Sequence, residues 1–185
     1  MRPRTQAIML LALSCATRPL LAQGTSGAPV ELSQLSNFVG NWQCTGQMFA
    51  RGSRPGHATG AVGHGSKALD GHWIQFAYEE RKTAANPRPY RIAGYMGYDA
   101  SKKKFVQTTV DNYGSYGPSF SDGWQGDTMT FEGTGETADG KSMAVRDHFV
   151  RKGQHAFVHF SEGQGSDGKW VQPDQETCNL AASKP

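Results

Sequence analysis

The sequence predicts an all-β chain: a single closed, antiparallel, up-and-down β-barrel of about nine or ten strands, preceded by a short helical turn. Three observations predict it. Five turn dipeptides, Asp70-Gly71, Asp122-Gly123, Asp139-Gly140, Lys152-Gly153 and Asp167-Gly168, punctuate the chain. Between them lie short segments that alternate apolar and polar residues, the period-two pattern of antiparallel strands with one buried face. A Trp on the first strand and a Cys near each end of the patterned region suggest that the meander closes on itself, and small closed barrels hold ligands in the middle.

The elements follow in order. Residues 1–22 read as a secretory leader: Arg2 and Arg4 form a basic start, residues 7–13 (AIMLLAL) a short apolar core, and Leu20-Leu21-Ala22 ahead of Gln23 resembles a cleavage site ending on a small residue. The apolar run is too short to span a bilayer, and no later segment is apolar enough to do so. This reading places the protein in the periplasm or outside the cell. The alternative is a lipoprotein anchored through Cys15, for which Ala12-Leu13-Ser14 is an imperfect attachment motif. Residues 23–34 are linker and lead-in. Leu32, Leu35 and Phe38 recur every three residues and predict one or two helical turns leading into Gly40.

Trp42, Cys44 and Gly46 then share one face of the first strand. Residues 50–58 (ARGSRPGHA) form a loop, and residues 59–68 a Gly-rich strand suited to bending. In residues 72–80, Trp73, Gln75, Ala77 and Glu79 share one face, and His72, Ile74, Phe76 and Tyr78 the other. A loop at 83–89 leads to a hairpin of residues 90–98 and 105–113, and residues 114–121 (GSYGPSFS) read as a third long loop. Strands at 128–132, 143–151, 156–162 and 170–180 complete one barrel domain over residues 35–180, with 181–185 as a tail.

The chain of 185 residues carries 19 Lys and Arg against 16 Asp and Glu. Arg2, Arg4 and Arg18 fall in the leader, so the mature chain is neutral. Its densest basic cluster, Lys102-Lys103-Lys104, sits in a hairpin turn, and no nucleic-acid partner is expected. Cys15 also falls in the leader. Cys44 and Cys178 remain as an even pair, which in an exported chain favours a disulfide between the first and last strands. Closing so long a loop is worth about 4–5 kcal/mol on the loop-entropy model.

Residues 135–142 (GETADGKS) match the phosphate-loop pattern G-x-x-x-x-G-K-S. That motif requires a following helix, whereas residues 143–150 alternate like a strand, so the segment reads as a hairpin turn. The six histidines include no H-E-x-x-H and no cysteine pair at zinc spacing, so no metal site is expected. A haem iron needs only one axial His; haem therefore stays open, although no cofactor is predicted. No G-x-S-x-G supports a nucleophilic hydrolase.

Candidate ligand-binding residues are chosen from polar and aromatic positions within strands: Trp73, Gln75, Gln107, Thr109, Asp111, Arg146, His148 and His159. An inward Arg146 would require an anionic ligand or a carboxylate such as Asp111, because an unpaired buried charge is costly. Glu79, Asp111, Asp147 and Glu162 also lie within strands, where a converging pair could exchange protons.

Phe38-Val39-Gly40-Asn41-Trp42 resembles the Gly-x-Trp opening of lipocalin and calycin barrels, in which the Trp plugs one end. Together with Leu69-Asp70-Gly71-His72-Trp73, Tyr95-Met96-Gly97-Tyr98-Asp99 and Arg146-Asp147-His148-Phe149, it is similar to a family of secreted bacterial calycin-like barrels of unknown function. The resemblance implies a closed barrel with a central pocket and no established activity. A more distant likeness to nitrobindin-like barrels implies haem held by one histidine, with His148 or His159 in that place.

The expected function is binding of a small, mostly apolar or amphipathic molecule between the Trp side chains, with Arg146, Asp111 and Gln75 orienting its polar end. Two alternatives use the same fold. One is a barrel enzyme: an isomerase, a cyclase or a haem-dependent catalyst. The other is a structural or interaction protein whose barrel is filled.

Overall fold

The computed structural model describes residues 27–53 and 55–182. The expected leader at 1–22, Cys15, residues 23–26 of the expected lead-in and residues 183–185 of the tail lie outside the described residues.

Leu32, Leu35 and Phe38 lie on a 3-10 helix, Val30–Phe38. Three residues per turn stack positions i and i+3, so the spacing makes one apolar row. All three are buried, against Ile74, Met96, Phe105, Met129, Phe131 and Phe149. The helix thereby plugs one end of the barrel. Its last carbonyl, at Phe38, occupies the space that a side chain on Gly65 would need, so a glycine there permits the docking.

Twelve strands follow. They are β1 (Gly40–Met48), β2 (His57–Ala68), β3 (Trp73–Glu80), β4 (Arg91–Asp99), β5 (Lys104–Asp111), β6 (Tyr116–Ser121), β7 (Trp124–Gln125), β8 (Thr128–Glu136), β9 (Ser142–Arg151), β10 (Ala156–Gln164), β11 (Trp170–Val171) and β12 (Asp174–Leu180). The two-residue strands β7 and β11 flank β8 and β10. The other ten form a closed antiparallel ring: β1 to β6 in chain order, then β8, β9, β10 and β12, which pairs back onto β1. At that seam Cys44 stands opposite Cys178, and the two are joined by a disulfide. The glycines of the five expected turn dipeptides all take φ between +76° and +90°, the left-handed region that side chains disfavour. No helix among the described residues is long and apolar enough to cross a membrane.

Two strand assignments change. Residues 116–121, expected within a loop, form the stave β6. Its composition reads as a loop because small residues let neighbouring strands close in: a Cβ on Gly117 would collide with the Thr134 carbonyl. Pro118 pairs with Thr108 on the β5 side, while on the β8 side the ladder skips residues 117 and 118, where no donor is required of the proline. The strand expected over 170–180 is broken at Gln172 and Pro173 into β11 and β12.

Candidate functional site: a cavity in the unplugged half of the barrel

The hairpin loops β1–β2, β3–β4, β5–β6 and β8–β9 all lie at the end opposite the 3-10 helix, as the up-and-down order requires. Below them the barrel encloses a cavity of about 340 Å³. That is within the range of small-molecule pockets, about 300–1,000 Å³. Its floor is aromatic. The rings of Phe38 and Phe149 meet edge-on at 4.9 Å, and those of Trp42 and Phe157 at 4.8 Å.

Above the floor the inward positions of several strands turn polar. Asp147 on β9 accepts from Gln107 Nε2 at 3.2 Å and lies 3.4 Å from His159 Nε2. Gln107 is on β5, separated from β9 by β6 and β8 in the ring, so the Gln107–Asp147 bridge spans the lumen. Because Nε2 faces the carboxylate, Gln107 Oε1 is left as an acceptor; the residue is 3% exposed, and this oxygen has no partner among the described residues. Burial alone would lower the His159 pKa. The hydrogen bond to Asp147 and the charges of Asp147, Asp174 and Glu176 outweigh burial and raise it above the ordinary histidine value.

Other carboxylates face the same space. Tyr78 Oη donates to Glu176 at 2.7 Å, and Tyr90 Oη to Asp111 at 3.4 Å. Asp111 also accepts from the backbone N–H groups of Tyr113 and Ser115. Glu80 accepts from Asn86 Nδ2 and the Tyr90 N–H, both at 2.7 Å, and Asp174 from Ser161 N–H and Oγ. Burial first, and then the adjoining carboxylates, push the Tyr78 and Tyr90 phenols well above the usual tyrosine range. Both phenols therefore act as neutral donors.

Of the residues singled out in the sequence, Gln107, Thr109, Asp111 and His159 line this cavity. Trp73, Gln75, Arg146 and His148 do not. Ile74 and Phe76 take the inner face of β3, leaving Gln75 exposed and the Trp73 indole lying over Gly97 on the outer wall. On β9, Val145, Asp147 and Phe149 point inward. Arg146 points out, with Nε 2.9 Å from Glu132 and its guanidinium over the Trp170 ring at 3.9 Å. Asp111 is thus not its partner. His148 bonds Thr130 Oγ1 through Nδ1 and Glu162 through Nε2, both at 3.0 Å, and stacks on Phe160. His148 and His159 sit on paired strands, yet on opposite faces, because His159 is registered with Phe149. Of the tryptophans, Trp42 lines the cavity; Trp73, Trp124 and Trp170 do not.

Asp147, Tyr78, Tyr90, Asp174 and Glu176 were not among the singled-out binding residues. The signal for Asp147 is its position: a charge between Val145 and Phe149, on a face that is otherwise apolar.

The donor set does not suit haem. His148 lies outside the barrel, the His159 Nε2 is turned to Asp147, and the acidic lining would oppose haem carboxylates. Cys44, Cys178 and Glu176 cluster closely, but the two sulfurs are bonded to each other and supply no thiolate. The phosphate-loop match is the β8–β9 hairpin, turning through Thr137 and Gly140.

The family described as "Protein of unknown function (DUF1579)" matches residues 30–173. Among solved structures, Rv2717c from M. tuberculosis is similar, with a TM-score of 0.66 at 11% identity over 84% of this chain and 99% of that one. At that identity the likeness shows the fold. No curated protein matches the chain.

Proposed function

Because this chain belongs to the DUF1579 family, whose function is unknown, we propose a function from its own cavity: the barrel binds a small amphipathic molecule in the unplugged half of its lumen. One observation carries this reading. The helix and its apolar cluster fill only one end, and the other keeps about 340 Å³ lined by aromatic rings and converging polar groups. A filled structural barrel would not leave that volume. The plugged, ring-closed architecture supports a calycin-like relationship. The seam disulfide supports export, since such bonds persist in oxidising compartments.

The ligand lies above the Trp42 and Phe157 rings, with its polar end at the Gln107–Asp147 bridge. Native mass spectrometry of the oxidised, exported chain tests the proposal. The expected result is an added mass that is lost on denaturation, or a neutral probe such as 1-hexanol that binds and no longer does so in Thr109→Trp, which fills the lumen. A bare chain that takes up no small molecule, or a probe that binds Thr109→Trp as well as it binds the wild-type chain, overturns it.

Catalysis in the same cavity is a second reading, favoured by one feature: His159 and Asp147 place a proton donor and acceptor against the lumen. It predicts that His159→Ala abolishes turnover of the bound molecule while leaving the barrel folded.

A further inference from the structure

We infer that the ligand of this cavity is an organic cation: a protonated amine on a short apolar body, with its ammonium group held between Asp147 and Gln107. The inference rests on the reading of the cavity as a binding site and assigns the chemistry of the occupant.

Charge is the first ground. Glu80, Asp111, Asp147, Asp174 and Glu176 face the lumen. Among the described residues, those opposing them are His159, already engaged with Asp147, and Arg51 in the β1–β2 loop at the mouth. His64 turns to Asn41 on the outer side of β2, and Glu162 to His148 on the outer side of β10. The interior potential is therefore negative. An anion would enter against it, whereas a cation would replace water with carboxylate partners.

Unfilled hydrogen-bonding capacity is the second, independent ground. Gln107 lines the cavity, and its Oε1 is a buried acceptor with no donor among the described residues. Leaving such a buried acceptor unpaired is costly. The contacts to Asp147 are long, 3.2 Å from Gln107 and 3.4 Å from His159, whereas Tyr78 holds Glu176 at 2.7 Å. A carboxylate has about four lone-pair sites, so Asp147 has room for another donor. What the bridge lacks is a group with several donors and no acceptor. An ammonium supplies three donors and none of the wrong kind.

The rest of the lining fits such a ligand. Tyr90 and Ile92 present apolar surface along the wall, and Phe149 and Phe157 present rings near the bridge. Cation–π attraction adds to the charge term where an ammonium meets a ring. Asp111 stands two inward positions nearer the mouth than Thr109's neighbour Gln107 on the same strand, where it draws cations toward the lumen.

Calorimetric titration of the oxidised chain at pH 7 with hexylammonium, 1-hexanol and hexanoate separates the possibilities, since the three share one apolar body. Hexylammonium is expected to bind at least tenfold more tightly than 1-hexanol, with hexanoate weakest. Asp147→Asn should cut the preference for hexylammonium over 1-hexanol at least tenfold. Asp111→Asn, which leaves the bridge intact, should cut it several-fold. If 1-hexanol or hexanoate binds as tightly as hexylammonium, the cation assignment falls and the cavity reading stands. If none of the three binds, both fall.

Discussion

At His159 two opposing influences meet in one side chain. Burial disfavours the imidazolium, while Asp147, Asp174 and Glu176 favour it, and the carboxylates prevail. A histidine whose pKa is raised by folding stabilises the native state fully below the unfolded value of about 6.5, and the contribution is lost as pH climbs through the raised folded value. The urea midpoint should therefore decline as pH rises from about 6.5 into the alkaline range. His159→Gln should flatten that slope, and a midpoint equally pH-dependent in the variant would refute the assignment. The neighbouring strand β9 shows why single residues were hard to place from sequence. Arg146, Asp147 and His148 are consecutive and all polar, and a one-residue slip exchanges the inner and outer sets. The neighbours resolve it: Val145 and Phe149 are apolar and in phase with Asp147. Polarity within a strand marks a lumen residue only when the rest of its face is apolar.

Single elements show the opposite balance. The 3-10 helix was legible because its apolar spacing is local, and the Gly-containing turns because each demands an unusual φ. β6 was not, because Gly117 and Ser119 are small for a non-local reason: the neighbouring strand β8 presses against them. The helix plug invites two measurements. Leu35 is fully buried in the plug cluster, and Leu35→Ala should cost about 2–5 kcal/mol in denaturant unfolding. Gly65→Ala places a methyl against the Phe38 carbonyl. It should cost about 1–3 kcal/mol, as overpacking does, by lifting the end of the helix from β2. Wild-type stability in Gly65→Ala would mean that the helix docks without needing that close approach.

For the whole molecule, closure is the organising fact. Ring order and antiparallel sense were readable from turns and alternation, whereas the size and lining of the expected cavity were not, since a lumen is emptied or filled by residues far apart in sequence. The seam between β1 and β12 brings together residues 134 positions apart, joined by Cys44–Cys178. Replacing both cysteines with Ala should cost about 2–5 kcal/mol, read as a lower denaturant midpoint relative to the oxidised chain. An unchanged midpoint would mean that strand pairing alone holds the ring shut.

The seam also bears on how freely the polypeptide can be rewired. Ala181 N–H bonds the Asn41 carbonyl at 2.7 Å, so the path of the backbone returns to where the ring began. Topologically the barrel has ten equivalent places to start. A circular permutant with a Gly-Ser bridge from residue 182 to residue 27, opened in the exposed β4–β5 turn at Lys102, keeps every strand neighbour. It should fold to the same barrel, with the former seam now joined through the bridge and the plug helix.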